Sequence, residues 1–155
     1  MLNCNNHKFL IALLVILGAA PAIAQEALYG EFSLGSGFRR EAVNGFTGGS
    51  HSLSEQFNKD AQGNDCLGYG DTAPDFVMVL EDDLPQLTLQ VNSGGNDTTL
   101  VVQGPDGTVR CGDDTGSNED ASIADNNWSQ GSHKIWVGSF MPGQRWNYRL
   151  SAREE

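Results

Sequence analysis

Residues 87–120 read LTLQVNSGGNDTTLVVQGPDGTVRCGDDTGSNED, and this stretch limits the folds open to the chain. Apolar side chains recur at every second position in Leu87, Leu89 and Val91 and again in Leu100 and Val102, the period of strands with one buried face. Ser93-Gly94-Gly95-Asn96 between them is a turn signal, so the two runs are predicted to pair as a hairpin. Pro105-Asp106-Gly107 reverses the chain into a further strand over 108–111, which empties into an acidic loop holding Asp113, Asp114, Asn118, Glu119 and Asp120.

The rest of the chain is punctuated by glycine in the same way. Leu28, Gly30, Phe32 and Leu34 alternate, and Gly35 and Gly37 then mark a bend, which predicts an edge strand. Asn44-Gly45 and Gly48-Gly49 bracket Phe46 in a turn-rich passage, 50–57 fits a short strand or one helical turn, and 58–65 is a polar loop. Over 74–80, Phe76, Met78 and Leu80 share one face and Val77 and Val79 the other, as in a central strand covered on both sides. Glu81-Asp82-Asp83 and Pro85 form a turn, after which 87–93 is expected to return antiparallel to that strand. Residues 123–132 look irregular; HKIWVGSF (133–140) and 146–152 complete the set. About eight short strands without helical periodicity make the fold class all-β, an antiparallel β-sandwich. No repeat of 20 to 50 residues points to a solenoid or propeller.

Residues 1–24 carry Lys8, an apolar run over 9–17 and Ala22-Ile23-Ala24, the pattern of a cleaved signal peptide. The run is short for a membrane span, which needs about 18 apolar residues. Residues 25–155 then form a single domain in a secreted or periplasmic protein, with no membrane insertion expected. Setting Lys8 aside leaves eight Lys and Arg against twenty Asp and Glu, a net charge of −12 that disfavours nucleic acid and anionic membranes as partners. Cys4 leaves with the leader. Cys66 and Cys111 remain in an oxidising compartment and are expected to form a disulfide worth on the order of 4 kcal/mol by loop-closure entropy.

From Leu87 onward the chain resembles the bacterial pre-peptidase C-terminal domain family. Residues 92–95 match its Gly/Ser turn, Asp97 the first Asp of its Asp-x-Asp-Leu-Tyr-Val segment, and Leu100 and Val102 the apolar positions. Thr99 stands at the second Asp and Val101 at the Tyr. Gly131-Ser132-His133-Lys134-Ile135-Trp136-Val137 resembles the terminal strand, with His133 at a position usually aromatic. The resemblance implies a jelly-roll-like sandwich and an accessory or recognition role. It implies a free-standing version, without the catalytic domain such modules usually follow, whose partner is an extracellular polymer or a protein.

Candidate sites follow from residue chemistry. Asp113, Asp114, Asn118, Glu119 and Asp120 offer hard oxygen ligands in one loop, which suits Ca²⁺, although the spacing is not that of an EF-hand and a solvated acidic turn accounts for it too. Asp97 joins them if the hairpin turn folds back, and otherwise caps its own turn. Trp128, in the polar passage Asp125-Asn126-Asn127-Trp128-Ser129-Gln130, is the possible ligand contact for a carbohydrate-binding module, or else plugs one end of the sandwich. Trp136, Trp146 and Tyr148 lie in predicted strands and are expected to pack. A hydrolase is the third reading, but GGSHS around Ser50 and His51 lacks the closing glycine of a nucleophile elbow. A triad of Ser50, His133 and an aspartate is available by count alone, so no catalytic residue is assigned. Asn96 and Asn127 open N-glycosylation sequons, which carry no assignment without a eukaryotic host.

Overall fold

A computed structural model describes residues 26–114 and 117–155; the predicted signal peptide lies outside them. Among the described residues the fold is a β-sandwich of two sheets, with one short helix. In chain order the elements are β1 (Glu31–Leu34), β2 (Glu41–Phe46), β3 (His51–Ser52), α1 (Leu53–Phe57), β4 (Tyr69–Gly70) and β5 (Phe76–Leu80). They continue with β6 (Leu84–Asn92), β7 (Thr98–Gln103), β8 (Val109–Gly112), β9 (Ser122–Trp128), β10 (Gly131–Ser139) and β11 (Asn147–Glu154). Eleven strands replace the expected eight. The additions include β2, where the glycines suggest only turns, and β9, whose inward positions include Asp125.

The first sheet is built on β10. One edge of β10 pairs with β5 through His133↔Met78 and Ile135↔Phe76 and, farther along, with β4 through Ser139↔Tyr69. Its other edge pairs with β7 through Trp136↔Val101, and β8 follows beyond. β1 borders β5 and runs parallel to it, which places the predicted edge strand at an edge. In the second sheet, of order β2-β11-β6-β9, every pairing is antiparallel.

The expected hairpin between 87–91 and 100–102 does not form. β6 belongs to the second sheet and β7 to the first, so residues 93–97 cross from one layer to the other. The same holds for β5 and β6, which the acidic turn at 81–83 joins across the layers instead of folding into an antiparallel pair. The signals misled for a physical reason: inward-facing strands of two opposed sheets show the same period as two strands of one sheet. The Pro105-Asp106-Gly107 turn does join a hairpin, β7–β8, with Gly107 at φ 84° and the Asp106 carboxylate accepting from Thr108 N and Oγ1.

Phe76, Met78, Leu100, Val102, Ile135 and Val137 of the first sheet pack against Leu87, Leu89, Val91, Ile123 and Leu150 of the second. The first sheet also has a covered outer face. There Leu53 of α1, Cys66, Val101 and Trp136 form a second cluster with Phe57, Val109 and Cys111 at its rim. Ser52 caps α1 through its hydroxyl, which accepts from Glu55 N. The polar loop 58–65 is folded on the Asp60 carboxylate, which accepts from Gln62 N, Asn64 N and Asn64 Nδ2. Cys66 and Cys111 are disulfide-bonded with a Cα–Cα distance of 5.3 Å, fastening this flap to β8.

At the far side of β8, Arg110 is buried. Its Nε donates to Asp125 Oδ2 at 2.6 Å, Nη2 donates to the carbonyl of Asn127, and the guanidinium lies 4.2 Å from the centre of the Trp128 ring. Removing one partner of a buried pair strands the other, so Arg110→Ala is expected to destabilise the fold by about 3 kcal/mol. Urea midpoints of the variant and of Arg110→Lys check this; Lys retains the charge but not the planar fork, so it restores only part of the loss.

Candidate cation site

Two turns that are distant in sequence meet at one end of the sandwich. The crossing 93–97 is shaped by Ser93, whose N and Oγ both donate to Asp120 Oδ1, while Asn96 Nδ2 donates to the Ser93 carbonyl. Gly94 and Gly95 take φ of 81° and 87°, which lets the chain double back within four residues. Asp97 emerges at the mouth of β7 and is held by its carbonyl, which accepts from Phe140 N at 3.1 Å. The other turn leaves β8 at Gly112. A side chain there would meet the Ser122 carbonyl at 2.1 Å, so only glycine lets β8 run this close to β9, and the Asp113 carbonyl accepts from Ser122 N.

The result is a trio: Asp97, Asp113 and Asp114 each offer a carboxylate oxygen, and all three oxygens lie within 4.8 Å of one another. Asp113 Oδ1 is shut off from solvent and has no hydrogen-bond donor among the described residues. Burial first, then the negative charge of Asp114, raises the pKa of both Asp97 and Asp113; the charge of Glu119 adds to the rise at Asp97, and that of Asp97 to the rise at Asp113. This is the electrostatic strain that a cation relieves.

The predicted ligands therefore divide. Asp113 and Asp114 meet, and Asp97 joins them. Asp120 is buried and committed to Ser93, and Asn118 donates from Nδ2 to Asp120 Oδ2. Glu119 is exposed; its backbone carbonyl accepts from Thr98 N and its charge acts on Asp97 from the periphery. The contiguous loop in the sequence thus becomes a site to which the loop gives two carboxylates and the crossing one, a contribution signalled beforehand by the doubling of glycines ahead of Asp97.

No family model matches this chain, and no curated protein sequence does. Among solved structures, the periplasmic inhibitor of g-type lysozyme PliG from Aeromonas hydrophila is similar, with a TM-score of 0.44 and 11% identity over 80% of this chain and 96% of that chain.

The remaining candidates are placed as follows. Trp128 is 1% exposed at the end of β9, with Nε1 donating to the Asp125 carbonyl, Arg110 over its ring and His133 beside it. Its faces are occupied, so stacking on a sugar is corrected to a core role. His133 is buried against it; Nε2 donates to the Ser129 carbonyl at 2.8 Å, and burial lowers its pKa, keeping the ring neutral. Ser50 lies just ahead of β3, which β4 separates from β10; β4 meets β10 at Ser139, six residues from His133 or about 20 Å along the strand. A Ser50–His133 pair does not form.

One more carboxyl is set apart by burial. Asp75 Oδ2 accepts from Val137 N at 2.6 Å, prolonging the β5–β10 ladder, and the Tyr148 hydroxyl approaches it without completing a well-formed hydrogen bond. Burial, with the Asp71 charge adding to it, raises its pKa to about 7, and burial beside Asp75 raises that of Tyr148 as well.

Proposed function

We propose that this chain is an exported, non-catalytic binding or accessory module of the pre-peptidase C-terminal kind, with a calcium ion held at the corner formed by Asp97, Asp113 and Asp114. The observation that supports the ion is the meeting of three carboxylate oxygens within 4.8 Å, with Oδ1 of one of these residues, Asp113, buried and without a donor among the described residues. Calcium takes six to eight oxygens in flexible geometry, so backbone carbonyls and water complete the shell. The ion cancels the repulsion within the trio and ties the 93–97 crossing to the loop after β8. Export is supported by the leader pattern of residues 1–24 and by the disulfide, which persists in oxidising compartments. Among the described residues, no helix is long and apolar enough to cross a membrane. The partner is a polymer or a protein outside the cytoplasm.

Calcium is expected to raise the melting temperature by about 10 °C at a hundredfold excess over its dissociation constant, equivalent to about 2.7 kcal/mol. Chelator reverses the rise, and Asp113→Asn/Asp114→Asn removes it. Because protons compete for carboxylates of raised pKa, the calcium shift shrinks as pH falls from 7 to 5. Calorimetry showing no calcium binding, or binding untouched by those substitutions, would mean that the corner is a solvated acidic turn. A panel of peptidase and glycosidase substrates tests the non-catalytic half; turnover abolished by Ser50→Ala would favour the hydrolase reading.

A further inference from the structure

The outer face of the second sheet differs from the rest of this acidic chain. Along β6 and β11 the inward residues are Leu87, Leu89, Val91, Leu150 and Ala152, which leaves Thr88, Gln90, Asn92, Arg149, Ser151 and Arg153 on the outside. These six stand side by side through the pairings Arg149↔Asn92, Ser151↔Gln90 and Arg153↔Thr88. No outward position of β2, β6, β9 or β11 is Asp or Glu, in a chain that carries twenty such residues. Arg40 leans over the row and closes a shallow cleft of about 270 Å³ with Gln90, Asn92, Arg149 and Ser151. A smaller hollow of about 60 Å³ continues it past Thr88 to Arg153.

Two of the three arginines along this cleft are available. Arg153 is paired with Glu155, which also accepts from Thr88 Oγ1 at 3.1 Å. Arg40 and Arg149 have no ion-pair partner among the described residues, although carboxylates outnumber cations twofold in the chain. An ordinary solvated face of such a protein would carry carboxylates between its arginines; apart from Glu155 at the Arg153 end, this one carries amides and hydroxyls.

We propose that this cleft binds a carboxylated polysaccharide. Guanidinium groups offer paired donors that match a carboxylate, and the amides of Gln90 and Asn92 match sugar hydroxyls in both donor and acceptor roles, while the hydroxyl of Thr88, which donates to Glu155, is left to accept. Arg149 and Arg153 are four strand residues apart, about 13 Å, so the row presents an extended track. A protein partner fits less well, because stable interfaces need a desolvated apolar or aromatic centre. Phe46, the exposed aromatic at the rim, has the Arg145 guanidinium 4.8 Å from its ring centre. Nucleic acid and anionic bilayers carry dense charge, which the net −12 of residues 25–155 repels, whereas a uronate chain has one charge per sugar among many hydroxyls.

The proposal shares with the preceding reading only the idea of an exported binding module, and it does not use the calcium corner. Calorimetry or affinity electrophoresis of the full chain with polygalacturonate, at low and at physiological salt, is expected to show binding that weakens with salt. Arg149→Gln weakens it at least tenfold and Arg40→Gln/Arg149→Gln abolishes it, with the melting temperature unchanged because both side chains are at the surface. Asp113→Asn/Asp114→Asn leaves it intact, which separates this site from the cation site. Absence of binding, equal binding of a neutral glucan, stronger binding of heparin or duplex DNA, or affinity unaffected by the double Arg substitution overturns the proposal.

Discussion

Reduction of the Cys66–Cys111 bond is expected to lower the melting temperature by about 15 °C. The bond closes a loop of 45 residues, which removes on the order of 4 kcal/mol of chain entropy from the unfolded state, and a domain of this size shifts by about 4 °C per kcal/mol. The loss has a local character as well. Cys66 is fully buried beside Leu53, Val101 and Trp136, so reduction loosens the flap of α1 and the loop 58–65 and brings water to the Trp136 indole. Thermal scans with and without reductant, read by tryptophan fluorescence as well as by circular dichroism, measure both effects. The Cys66→Ser/Cys111→Ser variant should reproduce the reduced protein. A shift below about 3 °C would show that the flap holds to the sheet by packing alone.

Asp75→Asn is expected to stabilise the protein by about 4 kcal/mol at pH 8 and to change little at pH 4. With a native pKa of about 7 against 3.8 in the unfolded chain, the folded protein keeps a proton that the unfolded chain releases. Stability contributed by this group is complete below pH 4 and is lost as pH rises to about 7, at about 1.4 kcal/mol per pH unit. Asparagine cannot ionise, yet its side-chain oxygen still accepts from Val137 N, so the ladder contact survives while the pH slope disappears. Urea denaturation of both proteins between pH 4 and pH 8 isolates the difference from the other carboxylates. Among these Asp60 has its pKa lowered by hydrogen bonds from Asn64, Gln62 and Gly63, and it acts in the opposite sense. Parallel pH profiles for the two proteins would refute a buried neutral Asp75.

What the sequence disclosed was burial rather than partnership. Alternation at Leu87, Leu89 and Val91 correctly identifies a strand with one wet face; Phe76, Met78 and Leu80 are buried as expected, whereas Val77 and Val79 on the other face are only half-buried. The hairpin joining β6 to β7 was misread because the period does not say which sheet a strand belongs to. A discriminating signal was nonetheless present. Thr98 to Val102 are buried at every position, whereas β6 alternates, and two strands paired in one sheet would share the same wet face. β9 escaped notice because Asp125, one of its inward residues, is a polar partner for Arg110. At the acidic corner the ligand types were legible, but the division of labour was not. Asp120 and Asp113 look alike in sequence, and only the hydroxyl and amide of Ser93 decide that Asp120 becomes a structural acceptor while Asp113 faces Asp97 and Asp114.

The strands at the heart of the two sheets, β10 and β11, are also the last two in sequence among the described residues. β5 and β7 flank β10, and β2 and β6 flank β11; none of these pairs touches directly within its sheet until residues 131–154 arrive to bridge it. Emerging from a ribosome or a translocation pore, the first 130 residues therefore own two half-sheets with no ridgepole, and non-local pairing of this kind is slow to nucleate. Such an order keeps the earlier strands threadable and lets the two sheets close only once residues 131–154 have emerged. A nascent chain stalled after Gly131 should accordingly remain open to protease, and one extended through Glu155 should resist it.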